Sequence, residues 1–542
     1  MTADRGRSVH AFWSDVGLPA IRAEAHYGDR IVRCFADRPG GAHRMLEQAV
    51  AAHGERDAIV YEDRCWSWRE LDGDIARVAG GLRACGIAAG DRVALLVSNR
   101  PEFVIGYWAA LRLGAIAVPI GVREQMPGLQ YILSHCDARA LIFDAELADR
   151  VPPSATVPGL RQRIAVGGAA RDGAESFDAL LRADPVAAAI DTREEDTVTI
   201  LYTSGTTGRP KGAMLTNLSI VHSAMHFQVC MQLTERDRSA MAVPASHVTG
   251  LIAMIVAMTR AGGALVIVPA FRAADFLALA ERQRITHTIL VPAMYNLCLL
   301  EPDFGRYDLS SLRIGGYGGA PMPQATISAL AQRLPAMTPM NAYGSTETTS
   351  PTTIMPAGQQ AAHLDSVGVA VPCADVLVVD ERGRELPPGQ PGELWIGGPM
   401  VVAGYWNNPQ ATAESFTAGY WHSGDVGSID AEGFVRVFDR SKDMLNRGGF
   451  KIYSVEVENV LAAFPGVVES AVVGRPCPVL GERVHAFVYG GGASLDAHAL
   501  REHCAQQLAD YKVPESFTFS DTPLPRNANG KLLKRMLRER LG

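Results

Sequence analysis

The chain has 542 residues with a formal net charge of −7, 47% hydrophobic and 20% charged residues. At ~150 residues per domain that length allows roughly three or four domains. The acidic balance excludes a general nucleic-acid binder, which would carry a strong basic excess, though not a local basic patch around an anionic ligand.

Residues 1 to 40 lack clear periodicity and read as a loosely packed extension. The opening "MTADRGRSVHAFWSD" has no apolar core of the signal-peptide kind. From residue 43 to 99, helical spacing of apolar residues alternates with short runs rich in Val, Ile and Leu. The same order continues through "FVIGYWAALRLGAIAVPI", "LQYILSHCDARALIF", "ALVIVPAF", "FLALAERQRITHTILVP" and "SSLRIGGYGGAP". Short apolar strands alternating with helices predict parallel sheets covered on both faces. The most apolar region, "LIAMIVAMTRAGGALVIVPAF", is cut by Thr259-Arg260 and Gly262-Gly263 and is too short on each side to span a bilayer. It reads as a buried helix, a turn and a buried strand, and no transmembrane segment is expected.

After residue 365 the texture changes to strand and turn with Gly and Pro punctuation, predicting a smaller β-rich subdomain. From about 440 to 542, helices and strands alternate over ~100 residues, one small α+β domain. The expected architecture is α/β: a large N-terminal domain over 1–439, with two stacked αβ sheet subdomains and the β-rich one, and a small mobile C-terminal domain over 440–542. The nine Cys stand singly with no C-x-x-C pair, which points to buried free thiols in a reducing compartment and a cytoplasmic location.

"YTSGTTGRPKG", Tyr202–Gly212, packs three glycines, five hydroxyls, an Arg and a Lys into eleven residues. Backbone N–H groups and hydroxyls in such a loop suit an anion, and glycine lets the backbone approach it closely. It lacks Walker spacing, because Lys211 follows Pro210 and precedes Gly212. The string resembles the signature loop of the adenylate-forming superfamily, which includes acyl-CoA synthetases, peptide-synthetase adenylation domains and beetle luciferases. Further motifs follow in that family's order: "GGYGGAP" (315–321), "NAYGSTE" (341–347), "GELWIGG" (392–398), "YWHSGDVG" (420–427), "DRSKDMLNRGGFKIYSVEVE" (439–458) and "PLPRNANGKLLKRML" (523–537). The likeness is nearest to the AMP-dependent acid–CoA ligases for fatty and coumarate-type acids.

The chemistry implied is attack of a carboxylate on the α-phosphate of ATP, giving an acyl-AMP and pyrophosphate, where positioning and cationic stabilisation are the main tasks. By resemblance, Thr203, Ser204, Gly205, Thr206, Thr207, Gly208 and Lys211 hold the departing phosphates, with Thr207 close to the chemistry. Glu347 is the metal ligand and suits Mg²⁺, which prefers hard oxygen donors. Thr346 contacts the α-phosphate, Tyr343 and Gly319 line the adenine pocket, and Gly344 and Ala320 are further ATP/AMP-binding residues. Asp425 accepts the ribose hydroxyls and Arg440 lies beside them. Lys531, at the start of the basic stretch "KLLKRMLRER", bridges the carboxylate and α-phosphate as the principal catalytic residue.

The family then rotates its C-terminal domain about one residue, here Lys442, to perform thioester formation with coenzyme A. Gly448, Gly449 and Lys451 would then flank the incoming thiol. His247, Val248, Thr249, Ile252, Met294, Leu297 and Gly318 are the expected acyl-binding residues. No carboxylate near Val248 suggests an amino-acid substrate, and the helix Ala293–Leu300 carries no Lys or Arg for a dicarboxylate. The expectation is an uncharged fatty or aryl monocarboxylic acid, with ATP and CoA as co-substrates. "PAF" with Ala270, where plant-type aryl ligases have "PKF", puts the CoA contacts in question. Loading of a carrier-protein phosphopantetheine, a non-catalytic nucleotide-binding relative, and the choice between monomer and homodimer stay open.

Overall fold

The computed structural model describes residues 12–168, 173–203, 209–526 and 532–541. A seven-stranded sheet runs in the order Lys211–Thr216, Thr197–Thr203, Ile116–Pro119, Arg92–Leu96, Ala138–Asp144, Gln162–Val166, Glu175–Ser176. All its pairings are parallel except the first. A nine-stranded sheet has a parallel centre: Thr338–Tyr343, Ile314–Tyr317, His287–Leu290, Arg238–Met241, Ala264–Ile267 and Asp57–Tyr61. Short antiparallel strands close its two rims.

The runs that form these strands, such as "RVALL" and "ALVI", are apolar at consecutive positions because helices cover both faces. One hydrophobic cluster joins the sheets, holding Val93 and Leu95 of one with Leu265, Ile289 and Ile314 of the other. The helix Asn217–Cys230 lies within that layer and has no solvent face, so even Ser219, His222, Ser223 and His226 are buried. The region from residue 249 to 267 forms a buried helix, a turn at Gly262 (φ +71°) and the buried strand Ala264–Ile267, as read from sequence. Helices start where the sequence offers caps: Ser67 accepts from Glu70 N while Glu70 accepts from Ser67 N at 2.8 Å, opening Trp68–Ala84.

A third sheet is antiparallel: Asp375–Val379, Gly392–Gly397, Tyr420–Ile429 and Phe416–Thr417, with Val435–Arg440 alongside Tyr420–Ile429. Beyond it lies a small sheet of Leu445–Arg447, Phe450–Ile452, Glu469–Cys477, Gly481–Tyr489 and Ser516–Ser520. It carries the helices Ser454–Ala462, Ala497–Gln507 and Lys534–Glu539 around a core of its own. The expected α/β architecture with a β-rich part and a small α+β C-terminal domain is therefore present.

One expectation fails. Residues 12–40 are no loose extension: Ile21–His26 and Arg30–Phe35 form a hairpin, with Cys34 and Phe35 fully buried. Trp13 is buried and donates its indole N–H to Ala370 O at 3.0 Å. Arg38 is paired with both Glu24 and Glu194 at 2.7 Å. A six-residue strand such as "RIVRCF" alternates too briefly to stand out from its charged surroundings. All nine Cys are free, seven of them buried. Among the described residues no helix is long and apolar enough to cross a membrane.

Candidate active site

In parallel sheets ligands gather beyond the carboxyl ends of the strands, where adjacent loops diverge. Here Thr338–Tyr343 runs into Gly344–Glu347, Ile314–Tyr317 into Gly318–Gly319, His287–Leu290 into Val291–Met294, and Arg238–Met241 into Val243–His247. Those strands are adjacent and parallel, so the predicted adenine-, metal- and acyl-binding residues share one edge. From the other sheet, Thr197–Thr203 leads in sequence to the expected phosphate loop. Ser204, Gly205, Thr206, Thr207 and Gly208 themselves lie outside the described residues, as does Lys531.

The two sheets meet at Glu347. It sits in a short helical turn, Thr346–Thr348, capped by Ser345, and its side chain is buried. Its Oε2 accepts from the Ser345 hydroxyl at 2.8 Å and its Oε1 from the Tyr405 hydroxyl at 2.9 Å. Thr203 Oγ1 lies 3.5 Å from Oε1. The donors around this carboxylate are thus hydroxyls, and among the described residues no Lys or Arg forms an ion pair with it. A buried carboxylate whose direct hydrogen-bond partners are all hydroxyls is a fit for a hard cation. Lys211, paired across the hairpin with Thr203, has its Nζ 5.0 Å from the centre of the Tyr405 ring.

A second cluster forms around Asp425. Its Oδ2 accepts from the Tyr343 hydroxyl at 2.7 Å, and Arg440 Nε approaches Oδ1 at 2.9 Å. Asp425 and Arg440 face each other across neighbouring antiparallel strands. Burial, and then the Asp425 charge, push the Tyr343 phenol well above its ordinary pKa, so it acts as a donor. Burial opposes the charge on Arg440, but Asp425 together with Tyr343, Glu347 and Asp443 outweighs it and holds the guanidinium above its usual value. Tyr343 therefore ties the end of strand Thr338–Tyr343 to the Asp425–Arg440 pair through its hydroxyl.

Glycines line the same edge. Gly319 has φ +77°, which only glycine adopts at little cost. A Cβ on Gly318 would meet Ala342 O at 2.3 Å, and one on Gly344 would lie 3.1 Å from Thr352 N. The backbones of three adjacent segments therefore pack directly against each other. Ala320 is exposed beside Gly319.

The expected acyl residues divide. His247 precedes the helix that starts at Thr249; its Nδ1 accepts from Thr249 N at 3.3 Å and lies 3.1 Å from Thr249 Oγ1. Val248 and Ile252 are buried in the central cluster, and Met294 packs against it. Leu297 is 50% exposed, whereas Tyr295 and Cys298 of the same helix Pro292–Leu299 are buried.

The expected CoA residues Gly448, Gly449 and Lys451 are exposed, and the loop bonds within the C-terminal domain: Gly448 N to Leu480 O at 2.7 Å and Gly449 N to Asn446 Oδ1 at 3.1 Å. No hydrogen bond among the described residues links them to Glu347 or Asp425. Lys442 is exposed between two anchored ends. Ser441 N donates to Gly424 O at 2.9 Å on one side, while Arg538 binds Asp443 Oδ1 at 2.6 Å on the other. Asp439 spans this point, accepting from both N and Oγ of Ser454 at 2.6 Å.

Tyr405 and Ser345 were missed by the sequence reading. Ser345 stands two residues before Glu347 in "NAYGSTE", and nothing in that string marks its hydroxyl as a partner of the carboxylate. Tyr405 had only "GYW" as a signal, and its nearness to Glu347, 58 residues away in sequence, is created by the fold.

Comparison with known proteins gives a consistent picture. The family model of AMP-binding enzymes matches residues 46–406, and that of the AMP-binding enzyme C-terminal domain matches 456–531. A feruloyl-CoA synthase of an Amycolatopsis species is 36% identical, covering 92% of this chain and 97% of the relative. A long-chain-fatty-acid–CoA ligase of Mycobacterium tuberculosis is 34% identical over 91% and 97%. Among solved structures, an anthranilate CoA ligase in complex with anthranoyl-AMP superposes with a TM-score of 0.88 at 28% identity, covering 92% of this chain and 97% of that one. An o-succinylbenzoate CoA synthetase of Bacillus subtilis with ATP and magnesium gives 0.81 at 29% identity over 91% and 99%.

Proposed function

The chain belongs to the family of AMP-binding enzymes, and from that premise we propose that it joins an uncharged fatty or aryl monocarboxylic acid to CoA. It is an ATP-dependent acid–CoA ligase that works through an acyl-AMP. In the first step an oxygen of the carboxylate bonds to the α-phosphorus while the bond to pyrophosphate breaks. In the second, the CoA sulfur bonds to the acyl carbon, the thiol loses its proton, and AMP leaves.

The observation that carries this reading is the buried Glu347 carboxylate, surrounded by hydroxyls at the meeting of two strand-end edges. Mg²⁺ would be held through Glu347, with phosphate oxygens and water completing its coordination, and would neutralise charge on the phosphates. Thr203, Lys211 and the loop 204–208 would grip the departing pyrophosphate. Thr346 and Gly344 would adjoin the α-phosphate, Gly319, Ala320 and Tyr343 the adenine, and Asp425 with Arg440 the ribose. Lys531 would bridge the reacting carboxylate and phosphate.

Val248, Ile252 and Met294 support an apolar acyl group, with His247, Thr249 and Gly318 near its carboxylate end. The segments 243–256 and 291–300 contain no Lys, Arg, Asp or Glu to receive a second charge. Lys442 would be the hinge between domains 1–439 and 440–542, and Gly448, Gly449 and Lys451 would approach the thiol after rotation. The Asp439 to Ser454 bonds cross that hinge and would break as it turns. Nine free thiols accord with a cytoplasmic location.

The test is AMP release with ATP, CoA and a panel of acids from short to long fatty acids and from benzoate- to cinnamate-like acids. Turnover with at least one uncharged acid, dependent on free CoA, is expected. Adenylation without turnover on free CoA would move the acceptor to a carrier protein; turnover confined to dicarboxylates would overturn the acid class.

A further inference from the structure

We propose that Tyr405 is a positioning residue that sets the Glu347 carboxylate for the metal–nucleotide complex. The inference rests on the reading of Glu347 given above.

Tyr405 is fixed by its backbone. The segment 404–406 lies along the strand Lys211–Thr216: Met214 N donates to Gly404 O at 3.0 Å, Trp406 N donates to Gly212 O at 2.7 Å, and Ala213 pairs with Tyr405. Tyr405 N is held by Thr412 Oγ1 at 3.0 Å. A Cβ on Gly404 (φ +153°) would meet the Thr412 side chain at 2.7 Å, so the close approach depends on that glycine. With the backbone locked, the ring lies beside the Lys211 ammonium and packs edge-on against Phe416, its centroid 5.9 Å away. Its hydroxyl ends 2.9 Å from Glu347 Oε1 inside the protein.

One side chain thus touches both the Lys211 cation and the Glu347 carboxylate. A carboxylate oriented only by short hydroxyls could swing; bonds from Ser345 to one oxygen and Tyr405 to the other fix its plane. A carboxylate offers about four lone-pair sites, so roughly two remain for a cation or its water. A phenol carries its proton at neutral pH, so the Tyr405 hydroxyl donates to the carboxylate. Preorganisation of this kind is expressed as metal affinity rather than as fold stability.

The experiment follows Mn²⁺ binding, through loss of the free-ion electron paramagnetic resonance signal, to the enzyme with ATP and no acid. Tyr405→Phe keeps the ring and should weaken Mn²⁺·ATP about tenfold, one charge-assisted hydrogen bond's worth. Metal-free ATP binding and the melting temperature should scarcely move. Tyr405→Leu, which also removes the ring beside Lys211, should weaken Mn²⁺·ATP further. Wild-type affinity in Tyr405→Phe, or equal weakening of ATP with and without metal, would overturn the positioning role while leaving Glu347 as the ligand. Failure of the wild-type enzyme to bind Mn²⁺·ATP would overturn the Glu347 reading and this role with it.

Discussion

Asp425→Asn separates the nucleotide reading from a purely structural one. Asp425 already accepts from Tyr343 at 2.7 Å and Arg440 at 2.9 Å, leaving roughly two of about four lone-pair sites for the ribose hydroxyls. A hydrogen bond to a charged group contributes about 1.5–3 kcal/mol and a neutral one about 0.5–1.5. Converting two ribose bonds from the first kind to the second costs about 2–3 kcal/mol. At about 1.4 kcal/mol per factor of ten, that is a roughly 30- to 150-fold loss in ATP affinity. Breaking a fully buried ion pair costs about 3–5 kcal/mol of stability. The Arg440 side chain is 34% exposed and water can solvate it, so the stability cost should be nearer 1–2 kcal/mol. Calorimetric titration of wild type and variant with ATP and with 2′,3′-dideoxy-ATP closes a double-mutant cycle. Wild type should discriminate against the dideoxy nucleotide and Asp425→Asn should nearly lose that discrimination. If the variant weakens both nucleotides equally, Asp425 serves the fold and not the ribose.

Lys531→Ala should abolish acyl-AMP formation, read as ATP–pyrophosphate exchange, yet leave conversion of preformed acyl-AMP and CoA to thioester largely intact; equal loss of both steps would refute the division of labour. The protein should also be acid-sensitive before its carboxylates titrate. Burial pushes His222 to about 3, His287 to about 4 and His226 well below the ordinary 6.5. Folded values below the unfolded one mean that stability is fully present above pH 6.5 and is lost as pH falls from there toward 3–4. The loss is about 1.4 kcal/mol per pH unit per histidine, up to ~4 for the three. The melting temperature should be level from pH 8 to 7 and fall steeply between 6.5 and 5.5, less steeply in His226→Gln; a flat profile to pH 5.5 would contradict the assignment.

The sequence made the parallel-sheet core legible because strands such as Arg92–Leu96 and Ala264–Ile267 are continuously apolar. The apolar helix, glycine break and strand over residues 249–267 were readable for the same reason. The hairpin within residues 21–35 was not: half its side chains face outward, and those that are buried gain their meaning from partners such as His222 and Val402, far along the chain. At the site, motif residues Glu347 and Asp425 were identifiable, but their partners were not. Tyr405 reaches Glu347 only because residues 404–406 lie along Lys211–Thr216, a pairing that no local pattern announces.

The most direct test of attack at the α-phosphate follows oxygen. The best acid from the panel, labelled with ¹⁸O in both carboxylate positions, is turned over with ATP and CoA, and the products are analysed by mass spectrometry. Acyl-AMP chemistry requires one labelled oxygen to pass into AMP and none into pyrophosphate. Unlabelled AMP, or label in inorganic phosphate with ADP as the nucleotide product, would contradict it.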